Sequence, residues 1–442
     1  MSAGQQMTVL CSGDALITRP FRNTRDPELL ALIDIIRGCD VSFTNLEMLL
    51  NEYKGTPAVE AGGLHLSASP QVGADLMWAG FDLFANANNH SLDFGTDGLL
   101  LHIEAMQQLG MRYAGVGFSL EDAAKPVYFE SGAGRVAMIS CASSFARSQR
   151  AGELRPDFGG RPGLNSQRYE TRFYLDSERF DTLREIAEAL KFEEMRREAI
   201  EIEFTKPLDD EENELLFTPD WYSGGMHFYR GEGPEIRTTP HQRDLERNLA
   251  SIRHARRQAD LVIMSIHAHE SNIQHDKPAH FIIEWARACI DAGADIVTAS
   301  GPHQMRGIEI YNGKPIFYSL GNLWFEFETV NVLPADSYEM WKLDPLTGSP
   351  ADVYDNGLLG FHHRAHYWEC ALPICTFTDG ALTDLSLVPV TLGFGLPRPR
   401  RGTPRLANAD DGARILASVA ALSDEFGCRI DINENRGKVV LG

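Results

Sequence analysis

The chain is 442 residues long, 43% hydrophobic and 23% charged, an ordinary globular composition with room for two or three domains. Its formal net charge of −21 argues against non-specific binding to nucleic acid or to anionic membrane surfaces. No apolar run is long enough to span a bilayer, Met1 to Gln6 carries no basic or apolar leader, and seven scattered cysteines without a Cys-x-x-Cys pair suit reduced thiols, so a cytoplasmic location is expected.

Thr8 to Ser12 predicts a short strand, followed by Gly13-Asp14. Leu29, Leu30, Ile33 and Ile36 recur at helical spacing and predict a helix over 26–37. Val41 to Thr44 reads as the next strand and runs into Asn45-Leu46-Glu47. A helix over 70–79, a strand over 81–84 and a helix over 98–109 follow, then strands near 112–114, 127–130 and 135–140. This strand–helix alternation predicts an α/β layered core.

From about 145 to 239 the pattern changes. Residues 150–163 are rich in Arg, Gly and Pro, one long charged helix is expected over 177–200, and Asp209 to Glu212 form an acidic patch that reads as a solvated face. The loop Trp221 to Gly225 offers aromatic residues for a pocket wall. Residues 146–244 are therefore expected to be an insertion, a cap that sets specificity. Alternation resumes with helices over 242–257 and 281–292, strands over 261–266 and 296–298, and strands over 308–311 and 316–319. The expected core is thus 1–145 with 245–330. Beyond Val330 the chain reads as less regular, a C-terminal segment (331–442) packing on the core, with an exposed connector at 397–404, a helix over 409–422 and a short final strand.

Residues of metal-ligand type stand where the apolar runs end: Asp14, Glu47, Asn89-His90, His267 with His269-Glu270, and His303. Carboxylate, amide oxygen and imidazole suit a divalent ion, not a thiolate-selecting site. Such an ion polarises a carbonyl or phosphoryl group and activates water near neutral pH. Arg306, beside His303, is the best candidate for binding an anion, and Arg161 with Arg168 is a weaker one. Trp324, Phe325, Trp221 and Tyr222 are candidate pocket walls, and the run His362-His363-Arg364-Ala365-His366 is a candidate to approach the site. Ser319 to Asn322 reads as a tight turn supporting it.

The segments CSGDALITRP, FTNLEMLL, ANNHSLDFGTDGL, IHAHE and GPHQMRGIEIYNGKPIFYSLGNLWF resemble the CapA family, named for poly-γ-glutamate capsule synthesis. The resemblance covers about residues 7–145 and 245–326. It implies the calcineurin-like metallophosphoesterase fold, a four-layer α/β/β/α sandwich with metals at strand ends. By motif, Asp14 matches the first ligand, Glu47 the bridging carboxylate, Asn89 the amide ligand and His90 the catalytic or charge-stabilising histidine; His267 and His303 match later imidazole ligands. Two departures stand out. Asp14 is not followed by the usual Asp-x-His histidine, and His303 is followed by Gln304-Met305 in place of His-x-His. The resemblance therefore implies one firm divalent site (Mn, Zn, Fe, Ca or Mg) built from Glu47, Asn89, His267 and His303. Its weak neighbour keeps Asp14 and the shared Glu47, with His269 available as a substitute.

The expected function is a metal-dependent hydrolase in which a metal-activated water attacks an amide or ester bond of a peptide or γ-glutamyl-like anionic substrate, with His90, His269 and Arg306 in catalytic roles. The alternatives are a peptide epimerase with His90 and His269 as acid and base, a phosphoesterase, and a non-catalytic component of capsule synthesis.

Overall fold

The computed structural model describes residues 4–218, 225–357 and 359–441. Trp221 and Tyr222, expected as pocket walls, lie outside the described residues. The chain divides into two compact units, one formed by 1–168 with 242–442 and the other by 169–241.

The larger unit is mixed α/β with two large sheets. In the first, the strand Gln6–Leu16 is central: Val41–Leu46 pairs with it in parallel on one side, followed by Leu83–Ala85 and Arg112–Ala114, also parallel. On its other side lies the antiparallel hairpin Glu369–Thr378 and Ala381–Thr391. This hairpin is a correction to the irregular C-terminal segment expected from the sequence. Most of Glu369–Thr378 is buried, so it lacks the clean alternation that marks a half-exposed strand. The second sheet runs Ile308–Tyr311, Lys314–Phe317, Ile296–Ser300, Leu261–His267, Gly134–Ala142, Val127–Ser131, and its four middle strands are parallel. Leu261–His267 is buried along its whole length, as parallel strands covered on both faces are. Gln6–Leu16 contacts Ile296–Ser300, and Leu83–Ala85 contacts Gly134–Ala142, so the two sheets share one core.

Helices begin where the sequence supplies caps. The Asp26 carboxylate accepts from the amides of Glu28 and Leu29, and Pro27 occupies the first turn of Pro27–Arg37, where its missing N–H costs nothing. Pro70 does the same for Pro70–Ala79, which ends at Gly80 in the left-handed conformation. Gln242–Arg256 and His280–Asp291 contact each other and strands of the second sheet. Among the described residues no helix is long and apolar enough to cross a membrane.

The smaller unit carries its own four-stranded sheet, ordered Glu214–Phe217, Met226–Arg230, Tyr169–Leu175, Glu235–Pro240. It begins at 169, so residues 146–168, placed in the insertion by the sequence, cluster with the larger unit. The single helix expected over 177–200 is two, Ser177–Ala189 and Phe192–Glu201, broken at Lys191 with φ 66°. The break lets Phe192 turn edge-on to Phe217, 5.1 Å between ring centres, beside the small core of Phe180, Ala187 and Leu215. The acidic patch Asp209 to Glu212 is exposed.

Candidate metal centre

Parallel strands of both sheets deliver their carboxyl ends to one place, where open α/β sheets put their chemistry. Asp14 stands near the end of Gln6–Leu16, after a register shift between Cys11 and Asp14 that re-aims the side chain. Glu47 follows Val41–Leu46, Asn88 to His90 follow Leu83–Ala85, His267 closes Leu261–His267, and His303 lies just past Ile296–Ser300. Gly13 is required by close approach: a Cβ there would meet the Gly321 carbonyl oxygen at 1.9 Å, and this contact lets Asp14 N–H donate to that same oxygen at 2.9 Å.

Two overlapping triads result. In Asp14, Glu47 and His267, and again in Glu47, His269 and His303, one donor atom from each residue lies within 4.8 Å of the others. Glu47 belongs to both, is fully buried, and neither of its carboxylate oxygens has a hydrogen-bond partner. A buried carboxylate without partners is costly unless a cation meets it. Burial, and then the charge of Asp14, push its pKa well above the ordinary range. Asn89 repeats the pattern: its Oδ1 is buried and unpartnered, while its Nδ2 donates to the Gly62 carbonyl at 3.3 Å. Three oxygens of ligand type thus lack partners in a polar, enclosed site, and they fit a divalent cation.

The other members are held by bonds that leave donor atoms available. Asp14 accepts from Asn45 Nδ2 at 2.7 Å and from the Gly301 amide at 2.9 Å. Burial alone would raise its carboxyl, but its bond to His267 and the neighbouring His267 and His303 rings hold it well below the carboxylate range. His303 Nδ1–H donates to Asn322 Oδ1 at 2.9 Å, which leaves its Nε2 lone pair free. Burial lowers the His303 pKa to about 4. Burial, and then the His267 and His303 rings, take His269 well below the ordinary value, which favours the neutral imidazole that metal binding requires.

The tightest groupings differ from the expected set of His267 with Asn89 and His303. His267 lies with Asp14, its Nδ1 3.6 Å from Oδ1, and His269 joins His303. The reason is local: His267 ends its strand opposite Asp14, whereas His269 continues past the strand end, its amide donating to Ser144 Oγ at 2.7 Å. Arg306 is likewise corrected. It is 1% exposed, and its Nε and Nη2 donate to the carbonyls of His275 and His269 at 3.1–3.3 Å. It positions the His269 loop and presents no open anion site.

His90 Nδ1–H donates to Asp93 Oδ2 at 2.7 Å, and its Nε2 faces Glu47 Oε1 at 3.9 Å. Asp93 is fully buried and also accepts from the Leu66 amide at 2.8 Å, so the dyad fixes the His90 tautomer and direction. His90, His269 and His303 line one cavity of about 250 Å³, with Phe325, Phe327 and Phe361 on its walls.

Sequence reasoning misses Asp93, although the spacing His90-x-x-Asp93 is its signal. It also misses Asn45, and Asn88, whose Nδ2 donates to the Leu46 carbonyl at 2.9 Å and ties together the loops that carry Glu47 and Asn89. Asn322, read as part of a supporting turn, orients His303 directly. Arg161 donates to the Arg150 carbonyl and Arg168 pairs with Asp244, so neither is an open anion site. Trp324 is core, packed at a tilt against Phe21, whereas Phe325 does wall the cavity. His362 pairs with Glu328 at 2.9 Å.

A family model described as bacterial capsule synthesis protein PGA_cap matches residues 8–326. An uncharacterized protein of Sinorhizobium fredii is 32% identical over 447 aligned residues, covering 98% of this chain and 93% of its own length. The capsule biosynthesis protein CapA of Bacillus anthracis is 23% identical over 76% of this chain and 54% of its own. A probable polyglutamine synthesis accessory protein of Mycobacterium tuberculosis is 34% identical over 43% of this chain and 41% of its own.

Proposed function

This chain belongs to the bacterial capsule synthesis protein (PGA_cap) family, and on that footing we propose that it is a metal-dependent hydrolase of an amide or ester bond in a peptide or γ-glutamyl-like substrate. The observation that carries the reading is Glu47: buried, shared by two triads, and with no hydrogen bond to either oxygen. We read the two sheets and their helices as the four-layer α/β/β/α sandwich, and the triads as two candidate divalent-ion sites that share Glu47, in place of the one firm and one weak site that the resemblance implies. Asp14 and His267 would hold one ion with Glu47, and His269, His303 and Asn89 the other. Bound there, such ions supply Lewis-acid polarisation of a carbonyl and lower the pKa of a water.

The protein's own groups do the rest. Asp93 holds His90 with Nε2 turned toward the centre, placed to stabilise developing charge or to deliver a proton to the leaving group. His269 passes from the expected catalytic role to a ligand. Arg306 and Ser144 hold its backbone so that the ring stays beside His303, 5.5 Å between ring centres. Asn322 fixes the His303 ring, and the cavity's aromatic walls limit water around the reacting bond. The separate 169–241 unit is assigned a role in specificity.

Proton transfer is a second reading, favoured by His90 and His269 facing the same cavity. The test is incubation of the metal-loaded protein with peptide and γ-glutamyl substrates in D2O, wild type against His90→Ala. Cleavage that His90→Ala abolishes supports hydrolysis. Deuterium in recovered, uncleaved peptide supports epimerisation. No conversion of any substrate supports the accessory role that the relatives' names carry.

A further inference from the structure

The cavity beside the triads opens next to a second one of about 290 Å³, and His275 and Tyr367 line both. Their characters differ. The first is walled by Leu64, Leu66, Phe325, Phe327 and Phe361, with its polar groups confined to the histidine end. The second carries Asp276, Gln304, Arg364 and His366 beside Met305, Ser418 and Leu422. His275 and Tyr367 stand at the edge that the two cavities share. His275 is held through its carbonyl by buried Arg306, and Tyr367 packs between Phe361 and His366, with ring centres 4.8 and 4.2 Å away.

Polar groups of the second cavity are left without partners. His366 Nε2 is buried and unpartnered. Arg364 is exposed, and no hydrogen bond or ion pair of its guanidinium occurs among the described residues. Asp276 is the one acid in this lining, against Arg364 and the rings of His275 and His366. An apolar cavity at the reacting groups, joined to a cation-bearing one, describes a ligand that is apolar at one end and anionic at the other.

We propose that the joined cavities form a two-part subsite for a short peptide, which places an apolar side chain among Phe325, Phe327 and Phe361 and its terminal carboxylate against Arg364 and His366. This rests on the reading of the first cavity as a reaction site, but it concerns binding. It separates this chain's substrate from an all-glutamate chain, whose side-chain carboxylate would have to enter the apolar part, where nothing but the histidine end would pair with it.

The test is titration calorimetry of the metal-loaded full chain with N-acetylated dipeptides ending in leucine, phenylalanine or glutamate, each as free acid and as C-terminal amide. Cleavage is followed in the same samples. Leucine and phenylalanine acids are expected to bind at least tenfold more tightly than their amides and than the glutamate acid. Arg364→Gln is expected to remove the acid-over-amide difference while keeping the side-chain preference, and Phe361→Leu to weaken the phenylalanine peptide selectively. Thermal melts of both variants check the fold, and the wild-type series decides the matter even if a variant fails to fold. Equal binding of acid and amide, tighter binding of the glutamate peptide, or no binding would each overturn the proposal. Binding with the expected preference but without cleavage would sink the hydrolase reading and leave this one standing; cleavage without the preference would do the reverse.

Discussion

Replacing Glu47 by Gln should stabilise the metal-free protein while destroying its affinity for metal. Glu47 is fully buried with both oxygens unpartnered, and its pKa is raised well above the ordinary 4.5. A carboxyl whose folded pKa is raised contributes nothing adverse below the unfolded pKa, and it costs stability as pH rises toward the folded value. At 1.36 kcal/mol per unit, the 2.5 units from 4.5 to pH 7 set a ceiling of about 3.4 kcal/mol on that cost. Coulomb repulsion between the two carboxylates is of the same size: two charges 4.8 Å apart, the outer limit for Asp14 and Glu47, repel by about 3.5 kcal/mol at an effective dielectric near 20. The assay is denaturant unfolding of chelator-treated wild type and Glu47→Gln between pH 5 and pH 7.5. The variant is expected to be more stable at pH 7 by roughly 2–3 kcal/mol, with the gap closing toward pH 5. Comparing the two proteins cancels the histidines, whose lowered pKa values act in the opposite direction. A variant less stable than wild type at pH 7, or a gap that ignores pH, would refute the argument. Adding a divalent metal should then raise the wild-type midpoint and leave the variant unmoved.

His90→Ala should lower turnover by about a hundred- to ten-thousandfold with metal content unchanged, and Asp93→Asn should give a smaller loss, both read from kcat beside metal analysis. His102 accepts from the Leu50 amide and donates to Asn86, and burial lowers its pKa to about 3. It therefore contributes stability that is complete above the unfolded pKa near 6.5 and is lost as pH falls toward 3. Between pH 7 and pH 5 the wild type should lose about 2 kcal/mol more than His102→Asn, measured by denaturant unfolding; equal slopes would reject this. Asp244 is fully buried and pairs with Arg168 and Arg247, whose side chains keep 35% and 18% exposure. Asp244→Asn should cost about 2–3 kcal/mol, below the 3–5 of a wholly buried pair broken on one side, by the same assay.

The residues of the candidate metal centre were legible because Asp14, Glu47, Asn89, His267 and His303 each follow an apolar run, and a polar residue of ligand type directly after a buried strand has few structural reasons to be there. Their grouping was not legible. It depends on strand order in two different sheets, which places His267 opposite Asp14 and carries His269 beyond the strand end to His303. Arg306 misled because its neighbour in sequence is a site residue, while its guanidinium turns inward to backbone carbonyls. The hairpin Glu369–Thr391 escaped notice because burial on both faces of its first strand erases alternation, and the sheet of the 169–241 unit because its strands are short and two charged helices separate Tyr169–Leu175 from the rest.

The most direct test of the account is metal content. Purified wild type, Glu47→Gln, His267→Ala and His269→Ala would be dialysed against manganese or zinc and measured by elemental analysis. The account predicts two ions per wild-type chain, none firmly held by Glu47→Gln, and about one in each histidine variant. A wild-type chain that holds no ion, or a Glu47→Gln chain that keeps its full complement, would contradict it.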